Sequence, residues 1–384
     1  MIKISKPNIQ PEDINRVIEV LQSGNLVHGL NCDRFEKALS EYLGVPYASL
    51  VSSGTAALYL SLLALDIGSG DAVLVPNFTF PATVNTVRLV GAEPILVDVC
   101  SDTYTMSAAN IEAALESYIG SAQVKAIMPV HEFGYPIDIA DLKSRYPQFH
   151  IIEDAACALG ASTNATKLGA HKVGTQGDLA CFSFHPRKML TTGEGGLVVS
   201  SNLDLIQRIK RLKSHGIERH SQGIDFVEAG HNFRMTDFQA ALGLGQLPKL
   251  DQWITKRRTL VEIYQKELQP LVIQKHLSLP KYHVGHSWQS FMIVLAPSFN
   301  RNQVIQELRK HEIESNIGAQ CISTITHMQD YAIGTDLPIS SHIGQQGLAL
   351  PMCEQYSHEE VKLVVRSLSK ILGSKISNAD INQE

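Results

Sequence analysis

One segment of the sequence carries residue types that could perform covalent chemistry. The stretch CFSFHPRKMLTTGEGG (181–196) places Ser183, His185 and Lys188 in a loop that ends in three glycines. A lysine amine is a nucleophile once it is deprotonated, and it then forms Schiff bases with aldehydes and ketones. A lysine in a loop is more often simply solvated. The segment alone therefore leaves both interpretations open.

Three further segments place small or charged residues where strands should end and helices should begin. These are SSGTAA (52–57), IIEDAA (151–156) and GHNFRMTDFQ (230–239). The first could bind a phosphate through backbone N–H groups at a helix N-terminus, or it could be an ordinary serine-capped helix start. The second could hold a cationic ligand with Glu153 or Asp154, or cap a helix. The third could carry a ligand contact, or cap its helix through Thr236 or Asp237.

Taken together, the four segments match the requirements of pyridoxal 5′-phosphate (PLP). This cofactor needs a phosphate cradle, a carboxylate that keeps its ring nitrogen protonated, and a lysine amine. The chain supplies, in order, a turn of small residues, Asp154, and Ser183 five positions before Lys188. A Gly-x-Asn-x-Arg turn follows. Because α/β sheets bind ligands beyond the carboxyl ends of their strands, we expect these segments to meet there.

Apolar runs that alternate with helical patterns predict the framework for this site. The runs are rich in Val and Ile and bounded by Gly, Pro or Asp, which is typical of buried strands in a mostly parallel sheet. They span 72–76, 94–99, 124–130, 149–154, 179–184 and 196–200. Apolar residues at helical spacing predict helices over 11–22, around 35–42 and after Gly54. The fold class is thus α/β, with helices flanking a central sheet.

The pattern changes at about residue 248. A long helix begins at 250, a single clear strand covers QSFMIVLA (289–296), and a helix covers 301–311. Ser357 and Glu360 form a capping-box pattern before an apolar stripe that predicts a last helix. We therefore expect a large domain over 1–247, which would bind PLP. A smaller C-terminal α+β domain would cover 248–384 and end in a frayed tail after about residue 372.

Composition excludes several functional classes. The chain has 384 residues, 44% of them hydrophobic and 18% charged, with a formal net charge of −5. This balance indicates a globular protein without attraction to nucleic acid or to anionic membranes. The sequence shows no signal peptide and no apolar run of the ~20 residues that span a membrane. Its six scattered cysteines predict free thiols and no metal site, which favours the cytoplasm.

The sequence resembles the DegT/StrS-type sugar aminotransferases of the fold-type-I, aspartate aminotransferase superfamily. Matching stretches follow the family's order over almost the whole of the first 247 residues. They include SGNLVHG (23–29), VSSGTAALYLSLLAL (51–65), VPNFTFPATVNTV (75–87), PVHEFGYPID (129–138), IIEDAACALGA (151–161), GDLACFSFHPRKMLTTGEGGLVVS (177–200) and GHNFRMTDFQAALGLGQL (230–247). The C-terminal third matches less well.

The resemblance implies a role for each matching residue. Lys188 corresponds to the lysine that forms the Schiff base and moves protons, and Asp154 corresponds to the partner of the ring nitrogen. The other cofactor-binding positions comprise phosphate ligands, a stacking aromatic ring and a phosphate ligand from a second subunit. Gly54, Thr55 and Ser183 correspond to the phosphate ligands, and Phe80 corresponds to the ring that stacks on the cofactor. Asn232 corresponds to the phosphate ligand that the second subunit donates. The last position implies a homodimer with shared active sites.

Three departures from the family pattern stand out. Cys157 occupies a cofactor-binding position where Gln or His commonly contacts the phenolic oxygen of PLP, and a thiol is a much weaker partner. Glu132 stands where leucine is commoner, and it could face the substrate. The segment 316–330 lacks a His-Tyr pair that family members often carry near the substrate, so the sequence does not indicate the sugar contacts.

The resemblance implies transamination. Family members that dehydrate sugars have histidine in place of the lysine, whereas this chain has Lys188. The implied reaction transfers an amino group, from glutamate, to a keto group of a nucleotide-linked sugar in amino-sugar and polysaccharide biosynthesis. A cyclitol or another small ketone is an alternative acceptor. A non-catalytic PLP-binding regulatory protein is a further alternative, which the intact set of Lys188, Asp154 and Ser183 disfavours.

Two expectations concern the lysines. The site should lower the proton affinity of Lys188, because burial beside a cationic ring disfavours an ammonium. The neighbouring lysines Lys167, Lys172 and Lys213 should be ordinary surface residues.

Overall fold

A computed structural model describes residues 1–163, 171–221, 223–332 and 336–374. Its strands are β1 (Tyr47–Val51), β2 (Asp71–Pro76), β3 (Phe78–Thr79), β4 (Glu93–Val97), β5 (Gln123–Ile127), β6 (His150–Asp154), β7 (Leu179–Ser183), β8 (Gly196–Ser200), β9 (Ile217–His220), β10 (Gly223–Phe226), β11 (Leu277–Ser278), β12 (Phe291–Leu295), β13 (Gln320–Cys321) and β14 (Gly347–Leu350).

The helices divide the strands into crossover units. They are α1 (Pro11–Ser23), α2 (Leu30–Leu43), α3 (Gly54–Ala64), α4 (Ala82–Leu89), α5 (Ala108–Ser117), α6 (Ile139–Arg145), α7 (Leu203–Leu212), α8 (Asp237–Gln246), α9 (Leu250–Ile273), α10 (Arg301–Lys310), α11 (Pro338–Gln346) and α12 (His358–Gly373). Short 3₁₀ turns cover Glu132–Gly134, Leu247–Lys249, Ile322–Thr324 and Thr326–Ala332.

A seven-stranded sheet forms the centre of the molecule. Its strand order is β1-β8-β7-β6-β5-β2-β4. Strand β8 runs antiparallel to both of its neighbours, and the pairs from β7 to β4 are parallel. All six apolar runs predicted as strands belong to this sheet, so the expectation of a mostly parallel α/β sheet is confirmed.

The sheet is buried on both faces, which explains its near-continuous apolar strands. Alternate residues of one strand reach different cores, since Val73 and Val75 pack with α3, α4 and α7. Their neighbours Ala72 and Leu74 pack with α5 and α6 on the opposite face. A further cluster joins α2 and α8 to the sheet near β1 and β7.

The C-terminal part has a core of its own. Strands β11, β12 and β14 form an antiparallel sheet against which α9, α10 and α12 pack. The capping box of Ser357 and Glu360 opens α12 as predicted. Helix α9 begins against the core of the large sheet and continues into the C-terminal core. The predicted domain boundary between residues 247 and 248 stays a proposal. The predicted frayed tail lies largely outside the described residues, which end at 374.

The chain's first residues lie against this C-terminal part. Ile2 forms a parallel bridge with Ile313, and the Ile4 N–H donates to a Glu314 carboxylate oxygen at 3.0 Å. The N-terminal residues of the large part are thus tied to the C-terminal part.

A buried ion pair fastens α9 to the segment after β14. Nε and Nη2 of Arg257 donate to Oε2 of Glu354 at 3.0 and 2.8 Å, and both side chains are 2% exposed. Nη1 of Arg257 also donates to the backbone oxygens of Trp288 and Gln289. The guanidinium thereby holds the segment that enters β12.

Removing one partner of this ion pair should destabilise the folded protein. Glu354→Ala leaves the Arg257 charge buried without its carboxylate, so we expect the free energy of unfolding to fall by about 3–5 kcal/mol. Glu359→Ala is the control, because Glu359 is 71% exposed and pairs only at the surface. Its effect should be small, because solvent screens an exposed ion pair. Equal denaturant midpoints for the two variants would contradict the role given to the buried pair.

Candidate active site

A cavity of about 540 Å³ lies where the carboxyl ends of β5, β6 and β7 meet the C-terminal part. Seven of the eight sequence-predicted site residues line it, and they come from segments that are distant in the sequence. These are Gly54, Thr55, Phe80, Asp154, Cys157, Ser183 and Lys188. Three of the four segments therefore meet at the carboxyl ends of the strands as expected, whereas no residue of the fourth, 230–239, lines the cavity.

The N-terminus of α3 forms one end of the cavity. Ser53 caps the helix, and its hydroxyl accepts a hydrogen bond from the Ala56 N–H at 3.0 Å. The first N–H groups of a helix lack intrahelical partners and attract anions. A Cβ on Gly54 would lie 2.8 Å from the Cβ of Ser183, so only glycine allows this close approach. The helix start is therefore serine-capped, and Gly54 and Thr55 line the cavity, so phosphate binding there stays a prediction.

The two adjacent carboxylates at the end of β6 have different surroundings, because successive residues of a strand point to opposite faces. Asp154 lines the cavity, where its Oδ2 accepts from the Thr83 hydroxyl at 2.8 Å and its Oδ1 from the Ala156 N–H at 3.1 Å. Burial raises the pKa of Asp154 above its usual value, although Thr83 and Ala156 oppose this. A cation placed beside it would stabilise the carboxylate.

Glu153 has a structural role on the other side. Its carboxylate accepts from the backbone N–H groups of Gly174, Gln176 and Gly177 and contacts Nε2 of His131 at 3.0 Å. The histidine's Nδ1 accepts from the Ile137 N–H. These bonds outweigh burial and lower the pKa of Glu153. Glu153 thus fixes the backbone on either side of β6 and leaves Asp154 as the carboxylate that faces the cavity.

Lys188 projects into the cavity beside Cys157. Its Nζ donates to the Cys157 Sγ at 3.0 Å. Burial alone would lower the pKa of Lys188, but the Cys157 sulfur and the carboxyls of Asp154 and Glu132 together raise it. The expected lowering is therefore wrong for the chain by itself, because these groups stabilise the ammonium. Burial raises the pKa of Cys157, which favours its neutral thiol.

The other lysines differ from expectation. Lys213 is 4% exposed and donates to Oε1 of Glu36 and to the Leu50 backbone oxygen, so its placement at the surface was wrong. Lys172 is partly buried over the Tyr42 ring. Lys167 lies outside the described residues.

Several cavity residues were not identified from the sequence. Thr83, Gln289, Ser290 and Asn316 line the cavity, together with Glu132, which the sequence indicated as a departure that could face the substrate. Gln289 donates from Nε2 to the Arg187 backbone oxygen at 2.9 Å and so connects the Lys188 loop to the C-terminal part. Polar residues scattered over the C-terminal third have no spacing that predicts this convergence.

Two predicted residues lie at or beyond the edge of the site. Phe80 borders the cavity with 66% of its surface exposed, as a ring available for stacking would be. Asn232 is exposed and does not line this chain's cavity, and its Oδ1 accepts from Arg234 Nε at 3.1 Å. Its role as a phosphate ligand in a second subunit stays a prediction.

Comparison with known proteins identifies the family. A family model for DegT/DnrJ/EryC1/StrS aminotransferases matches residues 7–369. The chain belongs to this family. The UDP-4-amino-4-deoxy-L-arabinose–oxoglutarate aminotransferase of Shewanella sediminis is 34% identical over 97% of this chain and 99% of its own.

Solved structures agree with this assignment. A putative sugar aminotransferase from Streptococcus pneumoniae, in its PMP form, superposes with a TM-score of 0.87 at 26% identity, covering 97% of this chain and 98% of that one. PseC of Helicobacter pylori, an aminotransferase involved in the biosynthesis of pseudoaminic acid, also gives 0.87 at 26% identity, with coverages of 97% and 99%. The protein is therefore a PLP-dependent aminotransferase that takes an amino donor and a sugar substrate.

The cavity fits PLP. When bound, the cofactor supplies an aldehyde that accepts the amino group and a ring that withdraws electrons. The helix N-terminus at Gly54 and the Ser183 hydroxyl would hold the phosphate, and Asp154 would hold the ring nitrogen. Lys188 has the only lysine amine that lines this cavity among the described residues.

No helix of the described chain has the length and apolar character to cross a bilayer.

The close approach at Gly54 makes a testable prediction. In Gly54→Ala the new methyl group should push Ser183 or the start of α3 out of position, and PLP affinity should fall about tenfold or more, or about 1.4 kcal/mol. Absorbance titration with PLP measures this. Gly373→Ala is the control, since no atom lies within 4 Å of its Cβ. Unchanged affinity in Gly54→Ala would place the phosphate elsewhere.

Proposed function

We propose that this aminotransferase moves an amino group from glutamate to a keto group of a nucleotide-linked sugar. The observation that carries the proposal is the full-length similarity to the Shewanella enzyme, whose name specifies a UDP-linked amino sugar and oxoglutarate. Oxoglutarate is the keto acid that remains when glutamate gives up its amino group. The free thiols of all six cysteines support the cytoplasm as the compartment.

The residues around the cavity have chemistry suited to both substrates. Arg187 and His185 lie on the same loop as Lys188 and line the cavity, where a guanidinium can bind a carboxylate or a phosphate. Gln289, Ser290 and Asn316 add hydrogen-bonding groups from the C-terminal part. Such groups can bind the hydroxyls of a sugar.

In this proposal each residue acts at a defined atom. With the cofactor bound, Lys188 Nζ would hold it through its aldehyde carbon, with loss of water, and would carry protons to and from the substrate carbon. Asp154 keeps the ring nitrogen protonated, because a buried carboxylate strongly favours a cation beside it. The Thr83 hydroxyl orients the Asp154 carboxylate.

Two half-reactions separate the candidate substrates. Glutamate alone should bleach the visible absorbance of the PLP-loaded enzyme and release oxoglutarate. Adding UDP- or dTDP-linked 3-keto or 4-keto sugars should restore it, with a product detected by mass spectrometry. Lys188→Ala is the control. Restoration only by a keto-cyclitol or a free sugar would overturn the nucleotide-linked acceptor.

A homodimer is the second part of the proposal. The apolar stripe of α1 does not face this chain's own core, since Ile14, Ile18 and Leu21 are 51, 43 and 52% exposed. The exposed Leu26 and Val27 continue this surface. Burying such a surface against a second copy would stabilise the pair.

The loop of Asn232 adjoins this surface. The Asp237 N–H donates to the Leu26 backbone oxygen at 3.0 Å, which fixes the segment after Asn232 against the exposed apolar residues. In a homodimer formed through this surface, we propose that Asn232 of one copy contributes to the cavity of the other, since Asn232 does not line the cavity of its own chain.

Mixed dimers test the shared site. Lys188→Ala and Asn232→Ala subunits should each be impaired alone, because each homodimer lacks one component in both sites. Random mixing should restore about a quarter of wild-type activity, since half of the dimers are mixed and each has one intact site. Native mass spectrometry confirms the mixed dimers. Activity no higher than that of the parents would contradict a shared site.

A further inference from the structure

Glu132 is a second carboxyl group inside the active-site cavity, and the function described so far gives it no task. It lies in the 3₁₀ turn after β5 and is 4% exposed. Burying an ionisable group lowers the stability of the fold, because the charged form loses its hydration. The position is therefore informative.

The turn that carries Glu132 is held firmly and under strain. Phe133 adopts φ +54°, which is unfavourable for a residue with a side chain, and Gly134 follows at φ +97°. The Phe133 backbone oxygen accepts from the Gln289 N–H, and the Gly134 oxygen accepts from the Ser287 N–H. Strain of this kind persists where surrounding contacts impose it, often at functional sites.

The side chains on either side of Glu132 make different contacts, although Phe133 also lines the cavity. His131 points to Glu153 and is satisfied there. Phe133 packs in an apolar cluster with Phe78 and Tyr104. The titratable groups that face the Glu132 carboxyl from neighbouring elements are Lys188, Asp154 and Cys157.

Glu132 adds a carboxyl to the groups that act on the Lys188 nitrogen. Both oxygens of Asp154 already accept hydrogen bonds, from Thr83 and from the Ala156 N–H. The Cys157 thiol is a weak hydrogen-bonding partner. Glu132 lines the same cavity as Lys188, and its carboxylate charge adds to those of Cys157 and Asp154 in favouring a proton on the Lys188 nitrogen.

We infer that Glu132 is a positioning residue that shares one proton with the nitrogen of Lys188 and keeps that nitrogen positively charged in the loaded enzyme. The inference rests on the proposed role of Lys188. The proton moves only between the Lys188 nitrogen and a Glu132 oxygen, so no other reactant is needed.

The electrostatics of the cavity support this exchange. Burial raises the pKa of Glu132 to about 8, against the opposing effects of Lys188, the Thr79 hydroxyl and the Phe133 N–H. The carboxyl can therefore hold or release a proton near neutral pH. Two groups that interact this strongly titrate as a pair, and the last proton leaves at a higher pH than it would from the nitrogen alone.

The sign of the effect of Glu132→Gln follows directly. The amide has nearly the same shape and no charge, so it cannot stabilise the positive nitrogen. We expect the pH midpoint of the visible absorbance of the PLP-loaded enzyme to fall by about one pH unit or more. The basic limb of the kcat/KM profile should move down with it.

A matched control distinguishes this from a general change in pocket charge. Glu194 lines the same cavity but is exposed. Glu194→Gln should move the absorbance midpoint by no more than about 0.2 units, because solvent screens its charge. Glu132→Asp retains a carboxylate, so its absorbance midpoint should fall less than that of Glu132→Gln.

The outcomes separate the inference from the proposed function. Reduction with borohydride should label Lys188 in wild type, and failure of that labelling would refute the anchor itself. With labelling intact, an unchanged midpoint in Glu132→Gln would overturn the inference. If this variant does not fold, Glu132→Leu replaces it with the same expected shift, since an apolar side chain suits the buried position. Loss of folding in both, with normal folding of Glu132→Asp, would assign Glu132 a structural role and also overturn the inference.

Discussion

The active site depends on burying several ionisable side chains around one amine. Lys188, Asp154 and Glu132 share a cavity of about 540 Å³, in which the pKa of Lys188 depends on both carboxyls and the pKa of each carboxyl depends on Lys188. In a poorly hydrated space a charge is stable only beside its opposite. The two carboxyls therefore stabilise a cation at Lys188, and a cationic ring nitrogen would complete the balance at Asp154.

The rest of the fold serves to hold these charges in place. Parallel strands bring the ends of β5, β6 and β7 to one edge of the sheet, which sets the side chains next to each other. Glu153 uses the opposite face of β6 to fasten the adjacent backbone. The C-terminal part closes the cavity through Gln289, and the buried Arg257–Glu354 pair holds the segment from which Gln289 projects.

The sequence was sufficient for the elements with strong local signals. Continuous runs of Val and Ile predicted six of the seven strands of the main sheet, and the capping box predicted the start of α12. The short strands β3, β13 and β14 depend on long-range pairing, so no local pattern indicated them. The stripe of α1 was visible, but periodicity does not reveal that Ile14, Ile18 and Leu21 face outward.

Site residues followed the same rule. Segments with several unusual residues, such as the one around Lys188, indicated their chemistry, whereas Thr83 and Gln289 depend on contacts between distant parts of the chain. The environment of the lysines was the least predictable property. Lys213 is buried and forms an ion pair with Glu36. The pKa of Lys188 is raised by neighbours that the spacing of residues in the sequence does not show.

The central claim is that Lys188 is the covalent anchor of the cofactor, and peptide mapping after borohydride reduction tests it most directly. The PLP-loaded enzyme should lose its visible absorbance irreversibly on reduction. A single peptide containing Lys188 should then carry the added mass. Lys213 is the internal comparison, because it is a buried lysine that pairs with Glu36 away from the cavity. Label on Lys213 or another lysine, with Lys188 unmodified, would contradict the account.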